Sequence, residues 1–364
     1  GHSVVQTLDS GYVITGSTYI YSPWGNADVW LIKTDSQGNE EWNETFGGTD
    51  EDKGYSVQQT IYGGYIVTGY TESYGNGNTD VYLYYYLPPS SGGTTISGNV
   101  SGNWTIEDSP YIVDGNIVIL PDDTLTMDPG VEVYFNGDYR LDVFGTLFAI
   151  GTEQNTILFG RYFDVDKWKS INFYEGSNDS SKLEYCIITS GSSSDFNDAV
   201  INVQAVSPAI RYCNIAGNQD TGVSLNENSL SPIIGNTIYN NGYVGLNISN
   251  SGSVIDSNSV INNDAGNIAI MNEGTSYVSN IENNIIGGNS FALNINGNPM
   301  VTINNNTITS DAVSDAISLT NSDNSIISNN HIDVGRYGIK VLSDGISIND
   351  NTLDGYNYGS TDNY

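Results

Sequence analysis

From Leu183 to the C-terminus, one arrangement of apolar and polar positions recurs about every two dozen residues: apolar-x-x-(Cys or Asn)-x-apolar. An apolar residue stands three positions before the central polar residue and two positions after it, as Leu183 and Ile188 do in the first copy. A fixed period in this range is typical of a solenoid, in which each repeat forms one coil. We call the central polar position the rung, and it is occupied in turn by Cys186, Cys213, Asn236, Asn258, Asn284, Asn306, Asn330 and Asn351.

Each period also contains a second short segment in which apolar and other residues alternate, beginning with Val223 and Leu225. Alternation with a period of two predicts a β-strand with one face inward and one face outward. We therefore expect successive coils to pair at roughly 4.8 Å, so that like residues stack and each rung amide bonds to the next. The outward residues of this second strand are predicted to be Ser224, Asn247, Ala269, Asn294, Ser318 and Lys340.

The repeats also carry a family resemblance. SKLEYCIITSG, SPAIRYCNIAGN, SPIIGNTIYNN and VTINNNTITS resemble the repeats of right-handed parallel β-helix proteins of the pectin-lyase-like group. The upstream stretch GNIVILPDDTLTMDPGVEVYF resembles the first coils of secreted members with surface roles. The resemblance implies an all-β fold with a right-handed parallel β-helix over residues 96–364. It does not specify an activity, because this scaffold carries lyases, hydrolases, adhesins and structural proteins.

Residues 1–87 follow a different repeat. HSVVQT, GYVITGST and ADVWLIK recur 52 or 53 residues later as YSVQQT, GYIVTGYT and TDVYLYY, which predicts two copies of a β-hairpin unit. The segments resemble tandem repeats of archaeal surface proteins, and this resemblance implies β-propeller blades. Two blades are too few to close a ring, so we expect either a longer polypeptide or completion by another molecule. Residues 88–95 are predicted to be a linker.

Composition narrows the possible partners. The chain has 42 Asp and Glu residues against 10 Lys and Arg residues, for a net charge of −32. Such a charge argues against nucleic acid or an anionic membrane as the main partner, since phosphate binding needs basic surfaces. It suits cations or neutral glycans. No run of 18 apolar residues occurs, so no transmembrane segment is expected.

The two cysteines occupy consecutive rungs. Cys186 and Cys213 should be neighbours one coil apart, as two buried thiols in place of asparagine; a disulfide is the alternative. The positions just before these rungs predict an ion pair between Glu184 and Arg211. They also predict a stack of Tyr185 on Tyr212.

No combination of residues predicts a reaction centre, so we expect no catalytic residue, no cofactor and no enzyme activity. A mixed-charge stretch could form a lyase-like cluster, although a solvated, self-neutralising loop is the preferred interpretation: Arg161, Asp164, Asp166, Lys167 and Lys169. An acidic run could attract Ca²⁺ through carboxylate oxygens, although it matches no defined calcium loop and is better read as an acidic turn: Glu40, Glu41, Glu44, Asp50, Glu51 and Asp52.

Six acceptor motifs for N-linked sugar occur, at Asn43, Asn99, Asn103, Asn178, Asn247 and Asn305. Together these features predict an extracellular or cell-surface protein with a structural or adhesive role, such as a subunit of a surface layer or filament. Its expected partners are further copies of the chain, other surface proteins or glycans. The alternative is a carbohydrate-active enzyme or a glycan-binding module on the same scaffold.

Overall fold

A computed structural model of the chain describes residues 1–7, 9–19, 26–59, 64–74, 79–86, 93–162, 165, 167–192, 199–272, 277–288, 291–297, 300–311, 314–334 and 337–355. The chain forms two compact units, Gly1–Pro89 and Ser90–Tyr364. All regular structure among the described residues is β-strand. None of the described segments is a helix long and apolar enough to cross a membrane.

The N-terminal unit contains two antiparallel sheets. Its strands are β1 (Ser3–Gln6), β2 (Tyr12–Thr18), β3 (Asp28–Thr34), β4 (Glu40–Phe46), β5 (Asp52–Gln59), β6 (Tyr65–Thr71) and β7 (Asp80–Tyr86). Strands β1 to β4 form one sheet in chain order, and β5 to β7 form the other. The two sequence repeats therefore fold alike, each as an antiparallel meander. The sequence analysis also predicted that these sheets are blades of a β-propeller, and their assembly into a ring remains a prediction.

Aromatic side chains form much of the interior of this unit. Trp42 packs on Tyr65 and Tyr86 with ring centroids 5.6 and 5.1 Å apart, and Phe46 lies 4.2 Å from Tyr84. Tyr65 and Tyr86 are almost wholly buried. Large rings supply the apolar area that short, strongly polar strands lack.

The second unit is built from short parallel strands. They are β8 (Thr94–Asn99), β9 (Gly102–Trp104), β10 (Tyr111–Ile119), β11 (Thr124–Met127), β12 (Glu132–Phe135), β13 (Leu141–Val143), β14 (Thr146–Ile150), β15 (Ile157–Arg161), β16 (Ile171–Phe173), β17 (Lys182–Glu184), β18 (Cys186–Thr189), β19 (Ala199–Gln204), β20 (Ala209–Arg211), β21 (Asn214–Ala216), β22 (Thr221–Asn226), β23 (Ile233–Ile234), β24 (Thr237–Tyr239), β25 (Val244–Ser249), β26 (Val254–Asp256), β27 (Ser259–Ile261), β28 (Gly266–Met271), β29 (Val278–Glu282), β30 (Ile285–Gly287), β31 (Leu293–Asn296), β32 (Met300–Asn304), β33 (Thr307–Thr309), β34 (Asp315–Thr320), β35 (Ile326–Ser328), β36 (His331–Val334), β37 (Tyr337–Leu342), β38 (Ser347–Asn349) and β39 (Thr352–Gly355).

These strands stack into three parallel sheets. The first sheet runs from β9 through β11, β14 and every third strand to β38. The second sheet contains the strands at or just after the rungs, such as β18 and β21, and the third contains the alternating strands, such as β19 and β22. Each coil therefore supplies one strand to each sheet, which confirms the predicted parallel β-helix. Strand β8 begins at Thr94, inside the segment predicted to be a linker.

The core consists of columns of like residues. Leu183 pairs in register with Ile210, which pairs with Ile233, and the column continues through every later coil to Ile348. The members of this column from Leu183 to Ile327 are fully buried. Parallel pairing in unbroken register carries an apolar side chain directly over its counterpart, so each coil buries the face of the previous one.

The corner before each rung requires a left-handed backbone. The preceding residue has a positive φ of 51° to 67° in every copy: Tyr185, Tyr212, Gly235, Ser257, Asn283, Asn305, Asn329 and Asp350. This conformation turns the chain from the first sheet to the second. Asparagine, aspartate and glycine adopt it at low cost, whereas tyrosine does so only under tertiary constraint.

Candidate functional site

The rung asparagines form a continuous hydrogen-bonded column inside the solenoid. The amide nitrogen Nδ2 of Asn258 donates to Oδ1 of Asn284 at 3.0 Å, and the backbone N–H of Asn258 donates to the same oxygen at 2.8 Å. Nδ2 of Asn258 also lies 2.8 Å from the carbonyl oxygen of Ile233. The same contacts recur from Asn236 to Asn351. Each buried amide thus has partners in adjacent coils, which offsets the cost of burying it.

The cysteines occupy the first two positions of this column. Both are free, buried thiols, so the alternative of a disulfide is wrong. Sγ of Cys213 lies 3.3 Å from the carbonyl oxygen of Leu183, and its N–H donates to Oδ1 of Asn236 at 2.9 Å. Burial raises the pKa of the Cys186 thiol well above its usual value, and the neighbouring Cys213 adds to the shift. These thiols fill the place of asparagine and are poor nucleophiles.

A second asparagine column, which the sequence analysis missed, lies at the corner between the second and third sheets. Nδ2 of Asn218 donates to Oδ1 of Asn241 at 2.8 Å, and Nδ2 of Asn241 donates to Oδ1 of Asn263 at 2.9 Å. All three side chains are buried. Each stands five residues after a rung, so the period already contained this signal. Both columns are structural, since they lie beneath the surface.

The outward face of the third sheet carries the polar groups that could meet a ligand. Its central positions lie in register from coil to coil and form what we call the outer row: Asp142, Asn172, Asn202, Ser224, Asn247, Ala269, Asn294, Ser318 and Lys340. Six of these nine positions were predicted to face solvent, and this is wrong for Ser224 and Ala269, which are buried, as are Asp142 and Asn172. Asn247 is half-buried, and its Nδ2 donates to Oγ of Ser224 at 3.2 Å. Asn294 is exposed.

One end of the outer row holds a dense polar cluster around a carboxylate. Oδ2 of Asp142 accepts from Nε of Arg140 at 2.9 Å. Oδ1 accepts from Nδ2 of Asn172 at 3.0 Å and from the hydroxyl of Tyr174 at 3.1 Å. We call these four residues the Asp142 cluster. Oδ1 of Asn172 accepts in turn from Nδ2 of Asn202 at 3.0 Å, which extends the network to the next coil.

Burial differs sharply within the Asp142 cluster. The side chain of Asp142 is 8% exposed, whereas that of Arg140 is 39% exposed. The ring of Tyr174 is half-buried and stacks on Phe144, with centroids 4.7 Å apart. Asp142 therefore acts as a buried anchor that fixes the orientation of Arg140 and Tyr174, which reach the surface, through a network that includes the buried amide of Asn172. The sequence analysis missed this cluster because its members lie upstream of the regular rungs.

The mixed-charge stretch does not form one cluster among the residues described. Nζ of Lys169 lies 3.6 Å from Oδ2 of Asp138, and Nζ of Lys167 lies 3.4 Å from Oγ of Ser192. Arg161 donates to the carbonyl oxygen of Val165 at 3.1 Å. Asp164 and Asp166 lie outside the described residues. The three cations thus point to three separate partners, and only Lys169 lies near the Asp142 cluster, one residue before Ser170, whose hydroxyl donates to Asn172.

Two predicted contacts at the corner between the first and second sheets are confirmed. Arg211 Nη1 lies 3.6 Å from Glu184 Oε1, and the rings of Tyr185 and Tyr212 stack with centroids 4.9 Å apart. Both pairs join adjacent coils on the outside of the solenoid. They cover the two coils in which cysteine replaces asparagine.

The six asparagines of the glycosylation motifs differ in exposure. Those at 99, 103, 178 and 305 are exposed. Asn43 is half-buried, accepts from the indole of Trp30 at 3.0 Å and donates to Glu40 at 2.7 Å. Asn43 and Asn247 therefore offer their amide nitrogen to a modifying enzyme less readily than the other four.

The acidic run of the N-terminal unit is dispersed. Glu41 pairs with the buried Lys33 at 2.7 Å, and Glu51 accepts from the hydroxyl of Tyr70 at 2.7 Å. Asp50 is exposed, whereas Asp52 is fully buried. No group of three or more His, Cys, Asp or Glu side chains that could hold a metal ion is found among the described residues.

Comparison with known proteins supports the fold of the solenoid. The family described as "Right handed beta helix region" matches residues 221–361, which is less than half of the chain. No curated protein is detectably similar in sequence. The periplasmic alginate epimerase AlgG is 13% identical over 70% of this chain and 84% of its own, with a TM-score of 0.46. The A-module of the Azotobacter vinelandii mannuronan C-5 epimerase AlgE6 is 15% identical over 74% of this chain and 89% of its own, with a TM-score of 0.27. At these values the structural likeness carries no functional conclusion.

Proposed function

We propose that this chain is a glycan-binding β-helix module, and that its binding face is the outer row with the Asp142 cluster at one end. The observation that carries the proposal is the network in which one buried carboxylate orients Arg140, Asn172 and Tyr174 beside the Phe144 ring. Sugar hydroxyls are bound by oriented amide and guanidinium groups of this kind, and the apolar faces of sugar rings stack on aromatic side chains.

The repeat of the solenoid suits a linear polymer. Strands of neighbouring coils lie about 4.8 Å apart, a spacing comparable with the length of one pyranose unit. A polysaccharide lying along the solenoid would meet the accessible polar side chains of the outer row, which are Asn202, Asn247, Asn294, Ser318 and Lys340, whereas Ser224 and Ala269 are buried. Many weak contacts in series bind an extended chain without requiring a deep pocket.

Charge favours an uncharged polymer. Arg140 is matched by Asp142, and Lys169 by Asp138, so the Asp142 cluster adds little net positive potential. The whole chain carries −32 and therefore repels polyanions at low salt. We expect neutral polysaccharides to bind more tightly than polyuronates. A catalytic step is not part of the proposal, since the Asp142 cluster holds a single carboxylate whereas glycoside hydrolysis uses a pair.

The test is binding of the full chain to a panel of neutral and uronic-acid polysaccharides, measured by affinity electrophoresis and calorimetry. Tyr174→Phe keeps the ring stack but removes the hydroxyl, and Arg140→Gln removes the guanidinium, which is 39% exposed. Each should weaken binding by about tenfold, the equivalent of one charge-assisted hydrogen bond. Glu153→Gln, on an exposed loop, is the matched control and should bind normally. Failure of the wild-type chain to bind any polymer, or unchanged binding by both variants, would refute the proposal.

A structural role outside the cell is the second candidate, favoured by the unbroken asparagine column from Asn236 to Asn351. Such a column makes a stiff rod suited to a surface layer, a filament or an adhesin, with further copies of the chain or other surface proteins as partners. Electron microscopy distinguishes the two: ordered filaments or lattices without glycan binding favour the structural role. Both candidates require an extracellular location, which mass spectrometry of sugar at Asn99, Asn103, Asn178 and Asn305 would test. An archaeal source, suggested by the N-terminal repeats, remains a prediction.

A further inference from the structure

The N-terminal unit buries two neighbouring carboxylates that lack a cation. Asp28 is 9% exposed and Asp52 is fully buried. Oδ1 of each has no hydrogen-bond partner. Oδ2 of Asp52 accepts from the N–H of Gly48 at 3.0 Å and from the hydroxyl of Ser73 at 2.7 Å. An ionised carboxylate that is buried without a counter-charge is strongly unfavourable. A cation or a proton is therefore needed to neutralise these two groups.

The two carboxylates face the same small space beside Gly47. A Cβ placed on Gly47 would lie within 2.7 Å of both Oδ1 of Asp28 and Oδ2 of Asp52. Both carboxylates thus pack against the backbone of Gly47, where a side chain would clash with them, and this brings the two charges close together. The backbone N–H of Asp52 donates to the carbonyl of Ala27 at 2.6 Å, which holds the start of β5 against the start of β3.

No side-chain cation is available to neutralise this pair. Lys33 and Lys53 are the only Lys or Arg residues in positions 1–89. Nζ of Lys33 is bound by Asp9 and Glu41, and Nζ of Lys53 is bound by Glu51. Both lysines of the unit therefore form ion pairs with carboxylates other than Asp28 and Asp52.

The arrangement is built into the sequence repeat. Asp80 stands 52 residues after Asp28, at the same place in the second copy of the repeat. It lies opposite Thr71 on β6, which in turn lies opposite Asp52 on β5. Oδ2 of Asp80 also has no hydrogen-bond partner. A carboxylate with an unused oxygen therefore occurs at the same position in both copies.

We propose that Asp28 and Asp52 bind a calcium ion between the first and second N-terminal repeats. Hard oxygen donors select Ca²⁺ or Mg²⁺ over softer metals. Ca²⁺ fits better, because its coordination number and bond lengths are flexible, whereas Mg²⁺ demands a nearly ideal octahedron. Backbone carbonyls and waters complete such a coordination shell. The ion neutralises the two buried charges and ties β3 of the first repeat to β5 of the second.

The test uses terbium, a luminescent substitute for calcium, with the full chain. The hydroxyl of Tyr74 donates to the carbonyl of Gly47 at 3.0 Å, so this ring is close enough to sensitise terbium emission. We expect one site per chain that Ca²⁺ displaces and Mg²⁺ displaces poorly. Asp28→Asn should weaken Ca²⁺ binding by about 100-fold. Asp50→Asn, an exposed residue with the same change in charge, should bind as the wild type does.

Two outcomes would overturn the proposal. Equal titrations of the wild type and the Asp28→Asn variant would mean diffuse attraction to an acidic surface. A wild type that binds no metal would mean that the pair shares a proton instead. If Asp28→Asn fails to fold, Tyr74→Phe supplies the test: tyrosine-sensitised emission should fall by more than half at unchanged Ca²⁺ affinity, and undiminished emission would place the ion elsewhere. These results are independent of glycan binding.

Discussion

The two units of this chain treat buried polar groups in opposite ways. In the solenoid, a buried asparagine is satisfied by the next copy of itself, as Asn258 is by Asn284. In the N-terminal unit, charged groups are buried as well, and they have different partners: Lys33 is bound by Asp9 and Glu41, whereas Asp28 and Asp52 both pack against Gly47. In the regular coils, repetition therefore supplies the hydrogen-bond partners of the buried amides. In the N-terminal unit, each buried charged group requires a partner of its own.

This difference also decides where binding chemistry can arise. An amide column that is fully satisfied offers nothing to a ligand, so the long run from Asn236 to Asn351 is inert. The two candidate binding sites lie outside the regular coils. The Asp142 cluster lies in the first coils, upstream of the regular rungs, and the Asp28–Asp52 pair lies between two repeats that differ in sequence.

The largest expected effect comes from interrupting the column. Asn284→Ala removes the oxygen that accepts from the N–H and Nδ2 of Asn258 and leaves the carbonyls of Ile255 and Glu282 without this donor. We expect the free energy of unfolding of the solenoid to fall by about 3 kcal/mol, because these four buried hydrogen bonds are lost and each contributes roughly 1 kcal/mol or somewhat less. Denaturant titration measures it. Asn294→Ala, on the exposed outer row, should change it little; equal losses in the two variants would contradict the column's role.

A smaller effect is expected from extending the column. Cys213→Asn replaces a weak thiol donor by an amide whose Nδ2 can reach Oδ1 of Asn236, in the position that Sγ now occupies near the Leu183 carbonyl. We expect a gain of about 1 kcal/mol. Cys213→Ala, which removes the thiol without adding an amide, is the control and should be less stable than the wild type. A loss of stability in Cys213→Asn would indicate that the coil at Cys186 has no room for the amide.

The smallest effect is expected from the ion pair between Lys33 and Asp9 in the N-terminal unit. Partial burial would raise the pKa of Asp9. Hydrogen bonds from Lys33 and Thr7 outweigh this effect and hold the pKa of Asp9 at about 2, below its ordinary value of 3.8. A depressed folded-state pKa contributes stability above the unfolded value, and this contribution is lost as the pH falls from about 4 to 2.

Because Asp9 is more than half exposed, the loss should be below about 1 kcal/mol. Unfolding of the N-terminal unit, followed by fluorescence from pH 5 to pH 2, measures it. Lys33→Met should reduce this acid-dependent step, since Thr7 and the backbone N–H of Gly11 still donate to Asp9. An identical pH profile in the variant would show that Lys33 does not set the Asp9 ionisation.

Sequence alone determined the regular part of this protein. A fixed spacing implies a fixed register, so the rung residues, the inward column from Leu183 to Ile348 and the register of the positions from Ser224 to Lys340 could be assigned before any coordinates, although the burial of Ser224 and Ala269 could not. The column of Asn218, Asn241 and Asn263 was equally readable, at five residues after each rung. Local periodicity is sufficient there because each coil contacts only its neighbours.

Only the tertiary structure decided where unlike residues meet. Arg140, Asp142 and Tyr174 come together because strands β13 and β16 pair in consecutive coils, at a separation of 30 residues that is longer than the period of the rungs. Asp28 and Asp52 approach each other because the start of β5 lies against the start of β3, and both carboxylates pack against Gly47, which has no side chain. Contacts between unlike residues that are distant in the sequence depend on how the whole chain packs. The repeating pattern of apolar and polar positions therefore does not predict them.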